Sequence, residues 1–181
     1  IVYFKNEEGR YKEAGNIKNA VPFLHQDPDS DEILGQCEES GRDQGHATLC
    51  VSLMGAFCQM AYSIGEDLFA FDNYRAVAMA EYVGKYNLIK DEAFNKGTLV
   101  GDDFVYDSNS FPYTSYSNPS YTNTTISTDQ RGTKRPAWEL FYGYCKAKGI
   151  SSIYSGKWAE QMRPDGGGGN YGPNSGGFDQ L

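Results

Sequence analysis

The chain has 181 residues, enough for one domain with a true core, and a formal net charge of −8. That charge argues against a nucleic-acid partner, which needs a basic face, and leaves room for a local basic pocket. No apolar run reaches the roughly 18 residues that cross a bilayer.

Residues 1–36 are polar and carry turn residues (Gly9, Gly15, Pro22, Pro28, Gly35), which reads as loop with a short helical piece. From Ala47 the pattern changes: Leu49, Leu53, Met54, Phe57, Met60, Ala61 and Ile64 fall at helical spacing, with Gly65 as the stop. A second helix is expected from Asp72, as N-cap, to Tyr86. The short Gly65–Phe71 link makes the two a helical hairpin. Residues 88–134 are rich in Ser, Thr, Asn, Tyr, Gly and Pro with few aliphatics, the signature of a functional loop, an irregular hairpin or a lid. Within it, Asn123-Thr124-Thr125 fits a glycosylation acceptor. A third helix opens at Pro136 and ends at Gly149, with Trp138, Phe141, Tyr142 and Cys145 on one stripe. A fourth covers Ser152 to Met162. The tail is a Gly-rich loop without the Lys-Ser/Thr ending of a phosphate loop. Paired helices without strand alternation point to an all-α fold of antiparallel hairpins.

Cys37, Cys50, Cys58 and Cys145 match no zinc spacing. Cys50 and Cys58 on one helix stand about 12 Å apart, too far for a disulfide. Buried free thiols are the expectation. No run has the Asp-rich ligand spacing of a calcium loop, and no cofactor is implied.

The segment Glu39-Ser40-Gly41-Arg42-Asp43-Gln44-Gly45-His46 gathers a cation, anions, an amide and an imidazole directly before a helix. Spare backbone N–H groups and convergent polar side chains at a helix start suit an anionic ligand, a charged sugar among them. Arg131 to Tyr144 forms a second charged cluster at another helix start. Arg135 and Tyr142, seven residues apart, fall on one face of a helix that holds both. The carboxylates Glu38, Glu39 and Asp43 cluster locally, unlike the pair that flanks a glycosidic bond in a hydrolase.

These blocks, with Arg135-Pro136-x-Trp138-Glu139-x-x-Tyr142 and the closing run from Arg163-Pro164 through Gly166–Asn170-Tyr171-Gly172-Pro173-Asn174 to Leu181, resemble the alginate-lyase-like polysaccharide lyases. The resemblance spans roughly residues 36–90 and 130–181. It implies an (α/α) toroid of inward-facing hairpins, of which one domain over 1–181 is an incomplete, C-terminal portion. It also implies β-elimination on a uronic-acid polymer of alginate or glucuronan type, and a periplasmic or secreted setting.

Such a reaction needs a partner for the C5 carboxylate, a base for the C5 proton and an acid for the departing O4. The resemblance assigns His46 and Tyr142 to proton transfer, with Tyr144 as the nearest substitute phenol. It assigns Arg135 to the carboxylate; Gln44, an amide donor near His46, is the candidate neutraliser, since Gly45 stands where the family often has Asn. Arg42, Arg131, Tyr144, Asn170, Tyr171 and Asn174 are the expected substrate contacts; Arg42 reads equally well as an ion-pair partner of Asp43 or Glu39. The alternatives are a non-catalytic polyuronate-binding module or trimmed lyase, and a glycoside hydrolase on an α/α toroid.

Overall fold

The computed structural model describes residues 17–117, 122–135 and 138–163. These are mostly helical. Helix α1 (Ile17–Ala20) is a single turn, followed by strands β1 (Phe23–Gln26) and β2 (Ile33–Gln36). Helices α2 (Gln44–Ser63) and α3 (Phe71–Asn87) come next, then β3 (Tyr116–Ser117), β4 (Thr122–Asn123), α4 (Trp138–Lys148) and α5 (Ile153–Met162). Three single-turn 3-10 segments lie at Glu38–Gly41, Asp91–Ala93 and Gly101–Asp103.

The expectation of an all-α fold is corrected by two antiparallel β-hairpins, β1–β2 and β3–β4. Strand β1 is only half-covered, but Leu34, Gly35 and Gln36 of β2 are buried against α3. A Cβ on Gly35 would stand 2.7 Å from Val21 Cγ1 and 2.8 Å from the Met79 nitrogen, so only glycine lets the strand lie on the helix backbone.

Helix α3 is the centre of the molecule. From Ala76 to Asn87 every residue is buried, because β2, α2, α4 and α5 all pack on it. A helix enclosed on all sides has no solvent face for its polar residues, so each needs a partner inside. Glu81 accepts the N–H groups of Tyr154 and Ser155, both at 2.8 Å, and so caps the first turn of α5. Lys85 pairs with Asp27 and Asp29 at the β1–β2 turn and lies over the rings of Tyr106 and Tyr154. Desolvation pushes the Asp27 carboxyl up, yet the bonds from Lys85, Ser30 and Tyr154 outweigh it and hold the group down at about 2. Asn87 donates to Gln44 Oε1 at 2.9 Å and accepts the Gly132 N–H at 2.8 Å.

Two helix stops fall where the glycines indicated. Gly65 (φ 87°) and Gly149 (φ 68°) take the left-handed conformation, and the next residues, Glu66 and Ile150, donate back to Ala61 and Cys145 at 2.9 Å. The start of α3 differs from the expected Asp72 cap. Asp72, Asn73 and Tyr74 form a left-handed turn (φ 49°, 56° and 60°), and Asp72 accepts from Arg75 rather than from a helix N–H. Asp67 takes the N–H of Ala70, the residue before the helix, at 3.2 Å.

The aromatic content is mostly packing. Trp138 and Trp158 meet at 5.1 Å between ring centres, and Trp138 Nε1 donates to the Ala80 carbonyl on α3. Phe69 stacks on Tyr144 at 4.4 Å and Tyr62 closes that cluster edge-on.

Candidate functional site

Helix α2 begins one turn earlier than apolar periodicity indicates, at Gln44, because Asp43 is its N-cap. Asp43 Oδ1 accepts the His46 N–H at 2.8 Å, while Oδ2 meets His46 Nδ1 at 2.6 Å. One carboxylate thus serves both the helix start and the imidazole. An ionised carboxylate only accepts, so the Nδ1 that faces it carries a hydrogen, and in the neutral ring Nε2 is then the nitrogen with the lone pair. The His46 side chain is 41% exposed and that of Asp43 only 11%, which leaves a wet imidazole on a sheltered anion.

Arg135 reaches this helix start across nearly ninety positions of sequence. Its Nε donates to Thr48 Oγ1 at 3.2 Å and its Nη2 to the Gly45 carbonyl at 3.3 Å. Burial lowers the guanidinium below its usual range and the Asp43 charge opposes that. Among the described residues these two bonds use two of its five N–H groups. Arg135 itself is not helical, and its carbonyl accepts the Trp158 indole N–H at 3.4 Å. The argument that placed Arg135 and Tyr142 on one helical face therefore does not apply.

Beside this turn, Gln130 packs on Gly45: a Cβ on that glycine would stand 2.2 Å from Gln130 Oε1. Gln130 also lines a pocket of about 620 Å³ bounded by Lys96, Thr98, Arg131, Thr133 and Lys134. In a chain of net charge −8 this is a concentration of cations. Lys96 is paired with Asp103; Lys134 donates to the Phe94 carbonyl at 2.8 Å, and its Nζ lies 3.7 Å from the centre of the Phe94 ring.

The other expected site residues have different surroundings. Gln44 is buried: its amide donates to the carbonyls of Ser40 (3.0 Å) and Ser127 (3.1 Å), and its oxygen accepts from Asn87. It is a strut between α2, α3 and the long loop, and faces no solvent. Arg42 pairs with Glu39 at 3.4 Å and Asp43 at 3.7 Å on the surface. Arg131 is buried, sandwiched between the rings of Tyr86 (3.9 Å) and Phe104 (4.1 Å), and donates to the carbonyls of Tyr86 and Tyr106. Burial brings its guanidinium down to about 10, and Tyr86 and Asp107 oppose this.

Tyr142 packs against Gly156 of α5 and lies near Lys146; among the described residues no contact joins it to His46. Tyr144 donates to Asp67 at 3.0 Å in the aromatic cluster, and burial, then that hydrogen bond, push its phenol well up. Asn170, Tyr171 and Asn174 lie outside the described residues. The Asn123 Nδ2 is buried, so this triplet does not present its amide as a glycosylation acceptor.

Sequence reasoning did not assign a role to Asp43 or Gln130. The signal for Asp43 was present as an Asp three residues before a His at a helix start, the N-cap spacing. Nothing local marks Gln130, which reaches Gly45 only through the loop's path. No protein-family model matches the chain, and no curated protein or solved structure does so either.

Proposed function

We propose that this chain is a polyuronate-cleaving module of the lyase type, part of an α/α toroid. The observation that carries the reading is the Asp43–His46 pair beside Arg135 at one helix start, next to a basic pocket. Arg135 pairs with the C5 carboxylate of a uronate, which withdraws charge from the forming carbanion. His46 Nε2 takes the C5 proton, while Asp43 holds the ring and stabilises the imidazolium that results. The imidazolium then returns the proton to O4 of the departing sugar when both lie on one side of the ring. Electrons from the C5–H bond form the C4–C5 double bond and the C4–O4 bond breaks. Lys134 and its pocket hold the carboxylate of a neighbouring sugar. Arg131, whose guanidinium is spent on stacking and carbonyls, shapes that pocket.

A periplasmic or secreted setting goes with this reading, because polyuronates lie outside most cells. A second reading, a polyuronate-binding module without turnover, is favoured by the position of Tyr142, which among the described residues makes no contact with His46. Ultraviolet absorbance from unsaturated uronate ends decides between them across a panel of alginate and glucuronan. Turnover that is lost in His46→Ala and Arg135→Met supports the lyase. Uronan binding without new double bonds selects the binding module. Neither binding nor absorbance on any uronan ends both readings.

A further inference from the structure

Helix α2 turns one face to α3, α4 and the Glu38–Gly41 turn, and among the described residues its opposite face is uncovered. On that face Cys50, Leu53, Phe57, Met60 and the C-cap residue Ile64 follow one another at alternating steps of three and four, the spacing of a seam that receives a second helix. Leu53 is 54% exposed, Met60 57% and Ile64 75%. No Asp, Glu, Lys or Arg occurs from Gln44 to Ser63, in a chain with 16 basic and 24 acidic residues. Cys50, Leu53, Met54 and Phe57, at i, i+3, i+4 and i+7, also line a surface pocket of about 440 Å³, completed by Ala20 and Met79 with Glu38 at its edge. Four residues in that arrangement form the hole that a knob from a facing helix fills.

We propose that this face is an isologous dimer interface, in which the α2 helices of two copies of this chain lie antiparallel. The face carries both halves of the contact: an exposed knob, Ile64, at one end and an open hole around Leu53 toward the other. Antiparallel pairing joins knob and hole twice, as two-fold symmetry requires. Ile64 of one copy meets Leu53 of the second copy, and Met60 meets Phe57, a thioether on an aromatic ring. The absence of charge selects a second copy as the occupant. Two chains that each carry −8 repel, and like charges beside a seam would forbid self-pairing, but this helix has none. The two Glu38 side chains, one beside each hole, stand about 15 Å apart along the axis, beyond a Debye length at physiological salt. The overlap from Leu53 to Ile64 is about 18 Å long, so the contact is smaller than a standard interface and the dimer exchanges with monomer. His46 lies outside the overlap, and the dimer stands or falls independently of the uronan reading.

Sedimentation velocity of the full chain from about 1 µM to about 1 mM tests this. A monomer–dimer equilibrium is expected, and it tightens as salt screens the repulsion between the anionic copies. Met60→Lys weakens association roughly 30-fold or more. Val105→Lys, exposed but off α2, leaves it unchanged. Leu53→Glu and Ile64→Lys each fail to self-associate. An equimolar mixture of the two forms a heterodimer, because one layer then pairs opposite charges and the other is native. A chain that stays monomeric over the whole range overturns the proposal, whatever else covers α2. So does a dimer that survives Met60→Lys, a dimer that salt dissociates, or a mixture of Leu53→Glu and Ile64→Lys that stays monomeric. Unchanged urea midpoints show that the variants are folded, and the unmodified chain decides the first outcome without them.

Discussion

Replacing Glu81 with Gln tests the electrostatics of the central helix most directly. Glu81 is 1% exposed, and desolvation pushes its carboxyl from 4.5 to about 7, even though the N–H groups of Tyr154 and Ser155 pull the other way. At about 1.36 kcal/mol per pKa unit, that difference between folded and unfolded chain amounts to about 3 kcal/mol. Below its unfolded value the carboxyl is protonated in both states and the folded protein keeps its full stability. As pH rises through the folded value, the unfolded chain ionises first and stability drains away, completely so above about pH 7. In Glu81→Gln this titration is gone. The amide oxygen still accepts one N–H, and the other bond is lost at a cost of about 1–2 kcal/mol that does not vary with pH. Urea unfolding of both proteins from about pH 4 to about pH 8 gives the comparison. The variant is the less stable at the acid end, and the difference shifts in its favour by about 3 kcal/mol across that range. A difference between the two proteins that stays constant with pH refutes the assignment of a raised carboxyl to Glu81.

Lys85→Met leaves the Asp27 carboxylate buried without its cation and lowers unfolding free energy by about 3–5 kcal/mol, measured by urea denaturation. Gly35→Ala forces β2 off the α3 backbone at a cost of about 1–3 kcal/mol, read as a lower urea midpoint with unchanged slope. Asp43→Asn separates the two tasks of that carboxylate: Asn caps a helix about as well as Asp, so the urea midpoint moves little. Under the proposed lyase reading, the same change removes the charge behind His46 and lowers uronan cleavage about 100-fold in the ultraviolet assay. Unchanged cleavage in Asp43→Asn would show that the pair has no catalytic part.

The helices were legible because their information is local. Apolar residues at helical spacing, Gly65 and Gly149 as stops and the Trp138 stripe all act within a few residues, and α2, α4 and α5 formed where those signals lay. The β1–β2 hairpin was not legible: β1 is half-exposed and β2 has Gly35 at its centre, a residue that reads as a turn until a helix backbone is placed against it. The polar interior of α3 was equally hidden, since Glu81, Lys85 and Asn87 look like an exposed face until α5, the β1–β2 turn and the long loop cover them.

The candidate site divides along the same line. The sequence by itself placed His46 at a helix start, because the residues that open a helix are neighbours in the chain. Only the tertiary structure decided what else stands there. It brought Arg135 and Gln130 to that turn, sent Gln44 into the interior, stacked Arg131 between two rings and carried Tyr142 onto α5. Those outcomes depend on how a loop of more than forty residues is pinned by hydrogen bonds to Ser40, Gln44 and Asn87. Contacts between such distant positions leave no period or spacing in the sequence.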